Sequence, residues 1–97
     1  MSGPKLPSPE EVGKILSARL RLLGISQKTV QGWCLNPQNT GKNASAGAVS
    51  NWIHGRNLPD TINIVILAYR LDISIYELLG IGEDPTLTKI KRTLELR

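Results

Sequence analysis

Imidazole and thiol chemistry in this sequence rests on one residue each, His54 and Cys34. A Cys–His nucleophile needs a third group to orient the ring, and no aspartate or glutamate lies between Val12 and Pro59 to do so. A structural zinc takes four ligands, more than one cysteine and one histidine supply. The expectation is a chain with no catalytic residue, no metal and no cofactor, and so not an enzyme. What remains is recognition by hydrogen bonds and charge. One stretch concentrates it: Ser45-Ala-Gly-Ala-Val-Ser-Asn-Trp-Ile-His-Gly-Arg56. Val49, Trp52 and Ile53 fall at the i, i+3, i+4 spacing of one helical face. Ser50, Asn51 and His54 take the opposite face, and Ser45, Ala46 and Gly47 at the start are too small to hold a partner at a distance. Gly55 supplies a left-handed stop, and Pro59 blocks a restart. A helix with one buried edge and a compact, uncharged polar start fits the DNA major groove, which admits an α-helix.

The charge distribution agrees with a polyanionic partner. Between Val12 and Pro59 stand Lys14, Arg19, Arg21, Lys28, Lys42 and Arg56, with no acid among them. From Asp60 to Asp84 the sign reverses, with Asp60, Asp72, Glu77, Glu83 and Asp84 against Arg70 alone. A basic half around a polar helix edge is the electrostatic footprint of a nucleic-acid reader; ordinary solvated lysines and arginines are the bland alternative. The 97 residues suffice for one small domain. At this length roughly 60–65% of the unfolded chain's surface is buried, so pairing with a second copy would add stability. A lone cysteine argues for a reducing compartment. Neither a signal core nor a run of ~18 apolar residues is present. A cytoplasmic, nucleoid-associated protein without membrane contact is expected.

The elements that must position these residues read as helices. Pro4 and Pro7, with little to bury around them, make residues 1–8 a flexible arm. Ser8-Pro9-Glu-Glu11 is a helix start: a capping serine, proline in the first turn, then acids at the positive end of the dipole. The stripe Val12, Ile15, Leu16, Leu20, Leu23 follows, and Gly24 stops it with Ile25 folding back. Ser26 caps a second helix from Gln27 to about Leu35, with Val30 and Trp33 or Cys34 inward. Asn36–Asn43 is dense in turn formers and is expected to be irregular. After the polar-edged helix, Asp60 caps a fourth helix through Leu71. Its β-branched start favours a strand, but the stripe Ile64, Leu67, Ala68, Leu71 favours the helix. Ser74-Ile-Tyr-Glu77 is a capping box for a fifth, closed by Gly80. Residues 9–82 thus form the domain. Asp84-Pro85 opens a last helix within residues 83–97, with Leu87, Ile90 and Leu94 aligned either on the chain's own bundle or against a second copy across a two-fold axis.

Three motifs in this order resemble the lambda-repressor-like, or XRE, family of helix-turn-helix proteins. They are Gly24-Ile-Ser-Gln27, then Gly47-Ala-Val-Ser-Asn-Trp-Ile-His-Gly55 with Pro59, then Leu67-Ala-Tyr-Arg-Leu-Asp-Ile-Ser-Ile-Tyr-Glu-Leu-Leu79. They are similar to the family's Gly-Leu-Ser-Gln opening, its Ser-Thr-Ile-Ser-x-Trp-x-x-Gly helix and its Leu-Ala-x-x-Leu-x-Val-Ser-x-x-x-Leu-Leu close. The resemblance implies an all-α, five-helix bundle, here with an extra C-terminal helix. It implies a phage-type transcriptional regulator, a repressor above all, bound as a homodimer to a palindromic operator in double-stranded DNA. It places Gln27 as a phosphate contact, Ser45, Ala46, Gly47 and Asn51 as base readers, and Arg56 as a grip on the backbone. Lys28, Lys42, Ser50 and His54 border the same edge and complete the phosphate-contacting set. Nothing points to a small-molecule effector.

Two departures bear on that expectation. The connection between the second and third helices is roughly eight residues longer than the usual turn of about 3–4. It is either a surface insertion or an added contact through Lys42 and Asn43, and contact is the favoured reading. Ala46 and Gly47 offer no hydrogen-bonding side chain, so readout rests on Ser45, Asn51 and Asn43, with DNA shape supplying the rest. The competing function is a protein-binding module, such as an antitoxin or anti-repressor, that keeps the fold without reading DNA.

Overall fold

The computed structural model describes residues 6–82, 90 and 92–95. Most of the expected arm, with Lys5, and Leu87 of the last stripe lie outside the described residues.

Serines start four of the five helices, and left-handed residues stop all but the second. Ser8, Ser26, Ser45 and Ser74 are extended, and each Oγ accepts the backbone N–H three residues on. These caps open α1 (Pro9–Leu23), α2 (Gln27–Trp33), α3 (Ala46–Ile53) and α5 (Ile75–Leu79). Each such cap is worth about 1 kcal/mol. At Gly24 the chain folds back as expected, with the Ile25 N–H donating to Leu20 O at 2.9 Å. α4 (Thr61–Leu71) differs at both ends. Asp60 stands at its cap position but makes no capping bond, because its Oδ1 accepts from Asn63 Nδ2 at 2.6 Å. Asp72 ends α4 in the left-handed region, at φ 54°. There Arg19 reaches across from α1, donating to Leu71 O at 3.0 Å and Asp72 O at 3.3 Å.

The stretch expected to be irregular is a β-hairpin. β1 (Leu35–Asn36) pairs antiparallel with β2 (Asn39–Asn43), Leu35 opposite Asn43 and Asn36 opposite Asn39. The second helix therefore stops at Trp33 rather than near Leu35, since Cys34 is already extended at φ −90°, ψ 159°. The molecule is mostly helical with a small two-stranded sheet, and not all-α. Asparagine side chains shape the turn: Asn36 Oδ1 accepts from the Gln38 N–H at 2.9 Å, and Asn39 Oδ1 from the Gly41 N–H at 3.2 Å. An isolated two-stranded hairpin is marginal in water, so its anchors matter. Ala44 N–H donates to Cys34 O, and Asn43 Nδ2 donates to Gly32 O and Cys34 O, at 3.0, 3.1 and 3.2 Å. From α4, fully buried Asn63 pairs with the backbone of Leu35 as another strand would. Its Oδ1 accepts from the Leu35 N–H and its Nδ2 donates to Leu35 O, both at 2.8 Å.

One core holds these elements together. Leu16 and Leu20 of α1, Val30 of α2, Val49 and Trp52 of α3, Ile64, Leu67 and Leu71 of α4 and Leu78 of α5 meet in it, with Cys34 and Ala44 beneath the hairpin. Leu23, expected on the α1 stripe, is 46% exposed instead, as α1 drifts off its buried face before Gly24. Burial first, and the nearby Asp60 charge second, push the Cys34 thiol up to about 11. The thiol therefore stays neutral and is a poor nucleophile. Ile90 and Leu94, the described members of the last stripe, are 51% and 62% exposed. Among the described residues no helix is long and apolar enough to cross a membrane.

Candidate nucleic-acid interface

Burying Val49 and Trp52 turns the other edge of α3 outward. Ser45, Ala46, Gly47 and His54 are exposed, and Ser50 and Asn51 are half-buried. Two contacts with α1 fix the far end of α3. Ser17 Oγ donates to Ile53 O at 3.0 Å, satisfying a carbonyl of the last turn. Gly13 lies so close that a Cβ there would stand 2.8 Å from Gly55 N and 2.9 Å from Trp52 O. Gly55 is left-handed, at φ 74°, and its own Cβ would meet Glu10 Cα at 3.0 Å. Neither Gly13 nor Ser17 stood out in the sequence as a site-positioning residue. The signal, a glycine and a serine four apart on the face that meets α3, is visible only once the packing is known.

The base-reading candidates differ in what they leave available. Ser45 Oγ is spent as acceptor on the Ala48 N–H at 3.1 Å, but its hydroxyl proton can still be donated. Asn43 uses its amide N–H groups on the carbonyls of Gly32 and Cys34 at the end of α2, so its Oδ1 is what remains, with acceptor capacity. Ala46 and Gly47 offer shape alone. Asn51 Oδ1 accepts from Arg56 Nη1 at 3.2 Å. The phosphate candidates also sort. His54 Nδ1 lies 2.8 Å from Ser50 O and 3.2 Å from Ser50 Oγ. A carbonyl only accepts, so Nδ1 carries the proton and neutral His54 presents Nε2 as an acceptor. Phosphate contact through His54 thus needs the doubly protonated ring.

The cations sort in the same way. Arg19 is consumed at the end of α4, and Arg70 lies 5.6 Å from the centre of the Trp33 ring. Lys14, Arg21, Lys28 and Lys42 are exposed and have no hydrogen-bond or ion-pair partner among the described residues. Lys14 and Arg21 border a groove with Ser17, Ile53 and His54, and Gln27 joins Arg21 and His54 where α2 begins. Lys28 sits with Gln31, Gly32 and Asn43. The opposite flank of α3 holds Ser45, Gly47 and Asn51 with Pro37 of the hairpin turn, Asn57, Leu58 and Asp60. Asp60 is the acid of that flank and its carboxylate is engaged by Asn63; Glu10 is the acid of the first groove. Among the described residues no group of three or more His, Cys, Asp or Glu is placed to hold a metal ion.

Fold and site together define a small, mostly helical domain whose third helix turns a polar edge outward, with cations on α1, α2 and β2 that have no partner among the described residues and a hairpin set between its second and third helices. In comparisons with known proteins, no family model, no curated protein and no solved structure matches the chain.

Proposed function

We propose that this chain is a sequence-specific DNA-binding transcriptional regulator, a repressor of the lambda-repressor-like helix-turn-helix kind. The N-terminal half of α3 enters the major groove, and Ser45, Ala46, Gly47, Asn51 and Asn43 meet base edges. Gln27, Lys28, Lys42, Ser50, Arg56 and protonated His54 meet phosphates. The observation that carries this reading is the outward polar edge of α3, with Lys14 and Arg21 in the groove at its end and Lys28 and Lys42 exposed on α2 and β2, none of the four with a partner among the described residues. Cations buried against carboxylates or spent on helix ends would serve stability; Lys14, Arg21, Lys28 and Lys42 do not among the described residues. Exposed Ile90 and Leu94 support a homodimer, since one half-site gives a lone domain little affinity.

Titration of a mixed duplex pool at several salt concentrations tests the proposal. Affinity should fall steeply with salt, with a slope of about −0.9 per phosphate neutralised, and two chains should bind each operator-length duplex. Lys28→Ala should weaken binding to all sequences alike and reduce the slope by about one. Binding that is absent at low salt, or tight capture of a protein partner that salt leaves unchanged, would favour the protein-binding module instead.

A further inference from the structure

The turn that ends α3 also builds a side-chain pair. Left-handed Gly55 reverses the chain, so that the Arg56 N–H donates to Asn51 O at 2.9 Å and the Asn57 N–H to the same oxygen at 3.4 Å. These backbone bonds hold Arg56 over Asn51 independently of either side chain. The Arg56 guanidinium then donates from Nη1 to the Asn51 carboxamide at 3.2 Å. A guanidinium has donors only, so the carboxamide atom facing it is the oxygen. Asn51 Nδ2, with two N–H groups, has no partner among the described residues and keeps both for a ligand.

We propose that Asn51 and Arg56 read guanine as one unit. The inference rests on the DNA-binding reading above and carries it to the level of the base. Asparagine reads adenine by accepting from N6 while donating to N7, and here Arg56 already occupies one of the two lone pairs of the accepting atom and sets further donors beside it. Guanine presents N7 and O6, two acceptors side by side. The atoms that the pair leaves unused, Asn51 Nδ2 and the remaining guanidinium N–H groups, are all donors and match them. Gly47 and Ala48, which border the same flank, are small enough to let a base edge approach. Asp60, also on that flank, is committed to Asn63 rather than to Arg56. Arg56 here meets the base edge rather than the phosphate assigned to it above, and it is also the positioning residue that fixes which way the Asn51 amide faces.

Selection from a randomised duplex pool, followed by affinities for duplexes differing at one base pair, tests this. The native chain should prefer G·C over A·T at one position of each half-site by roughly 5- to 150-fold. Arg56→Ala frees Asn51 Oδ1 and should move the preference at that position toward A·T, with an unchanged circular dichroism spectrum. Asn51→Ala should lower the guanine preference severalfold. An adenine preference in the native chain overturns the pair while leaving DNA binding intact. So does an Arg56→Ala variant that weakens every sequence equally and keeps its base preference. Failure of the native chain to bind any duplex at low salt overturns the DNA-binding reading and the pair together.

Discussion

Gly13→Ala is expected to destabilise the domain by about 2 kcal/mol, the net of two opposed effects. Alanine is a better helix former than glycine by about 1 kcal/mol. The added methyl would stand 2.8 Å from Gly55 N, 2.9 Å from Gly55 Cα and 2.9 Å from Trp52 O. All three are backbone atoms, so α1 and α3 must separate, and overpacking of that kind costs roughly 1–3 kcal/mol with the upper end expected here. The clash therefore wins. Gly32→Ala supplies the control: nothing lies within 4 Å of that Cβ position inside α2, so the same substitution should stabilise by about 0.5–1 kcal/mol. Urea unfolding should show the two midpoints moving in opposite directions with unchanged slopes. Duplex affinity should fall for Gly13→Ala alone, because α1 sets where α3 points.

Asn63→Ala should cost about 3 kcal/mol, more than a surface asparagine by far. It leaves the Leu35 N–H and C=O without their partner and Asp60 without its donor. Each buried polar group left unpaired costs about 1–3 kcal/mol. Asn63→Leu should not rescue it, since refilling the volume leaves the same backbone groups unpaired. Hydrogen exchange at the Leu35 amide should accelerate in both variants ahead of the α1 amides, reporting a hairpin loosened from α4. Native-like stability with native protection at Leu35 would mean that the hairpin is held by β1 and β2 alone.

These two sites also mark what the sequence could and could not say. The helix starts were legible because a capping serine and its N–H lie three residues apart, and the stops because Gly24, Gly55 and Gly80 hold left-handed conformations. The α4 stripe Ile64, Leu67, Ala68, Leu71 is buried as its spacing foretold, despite a β-branched start. The hairpin was not legible. All five residues of β2 are exposed, so the apolar alternation that announces a strand is absent. Its anchor, Asn63, comes from a distant part of the chain, where an asparagine inside a helix pattern looks like a surface residue. The same holds for Gly13, whose close approach to Gly55 shows only in the packing. At the candidate interface the outward residues were legible from helical spacing, but their hydrogen-bond states were not. Asn51 and Arg56 meet only through the turn at Gly55, and the Asn43 amide N–H groups are spent at the end of α2.

The central claim is that the edge formed by the starts of α2 and α3, together with the turn after α3, docks on duplex DNA. Amide chemical-shift mapping of the ¹⁵N-labelled chain during titration with an operator-length duplex tests it most directly. The largest changes should fall on Gln27, Lys28, Lys42, Ala46, Gly47, Ser50, Asn51 and Arg56, and should fade as salt is raised. Changes confined to α4 and α5, or none at a protein concentration well above the dissociation constant, would contradict the account.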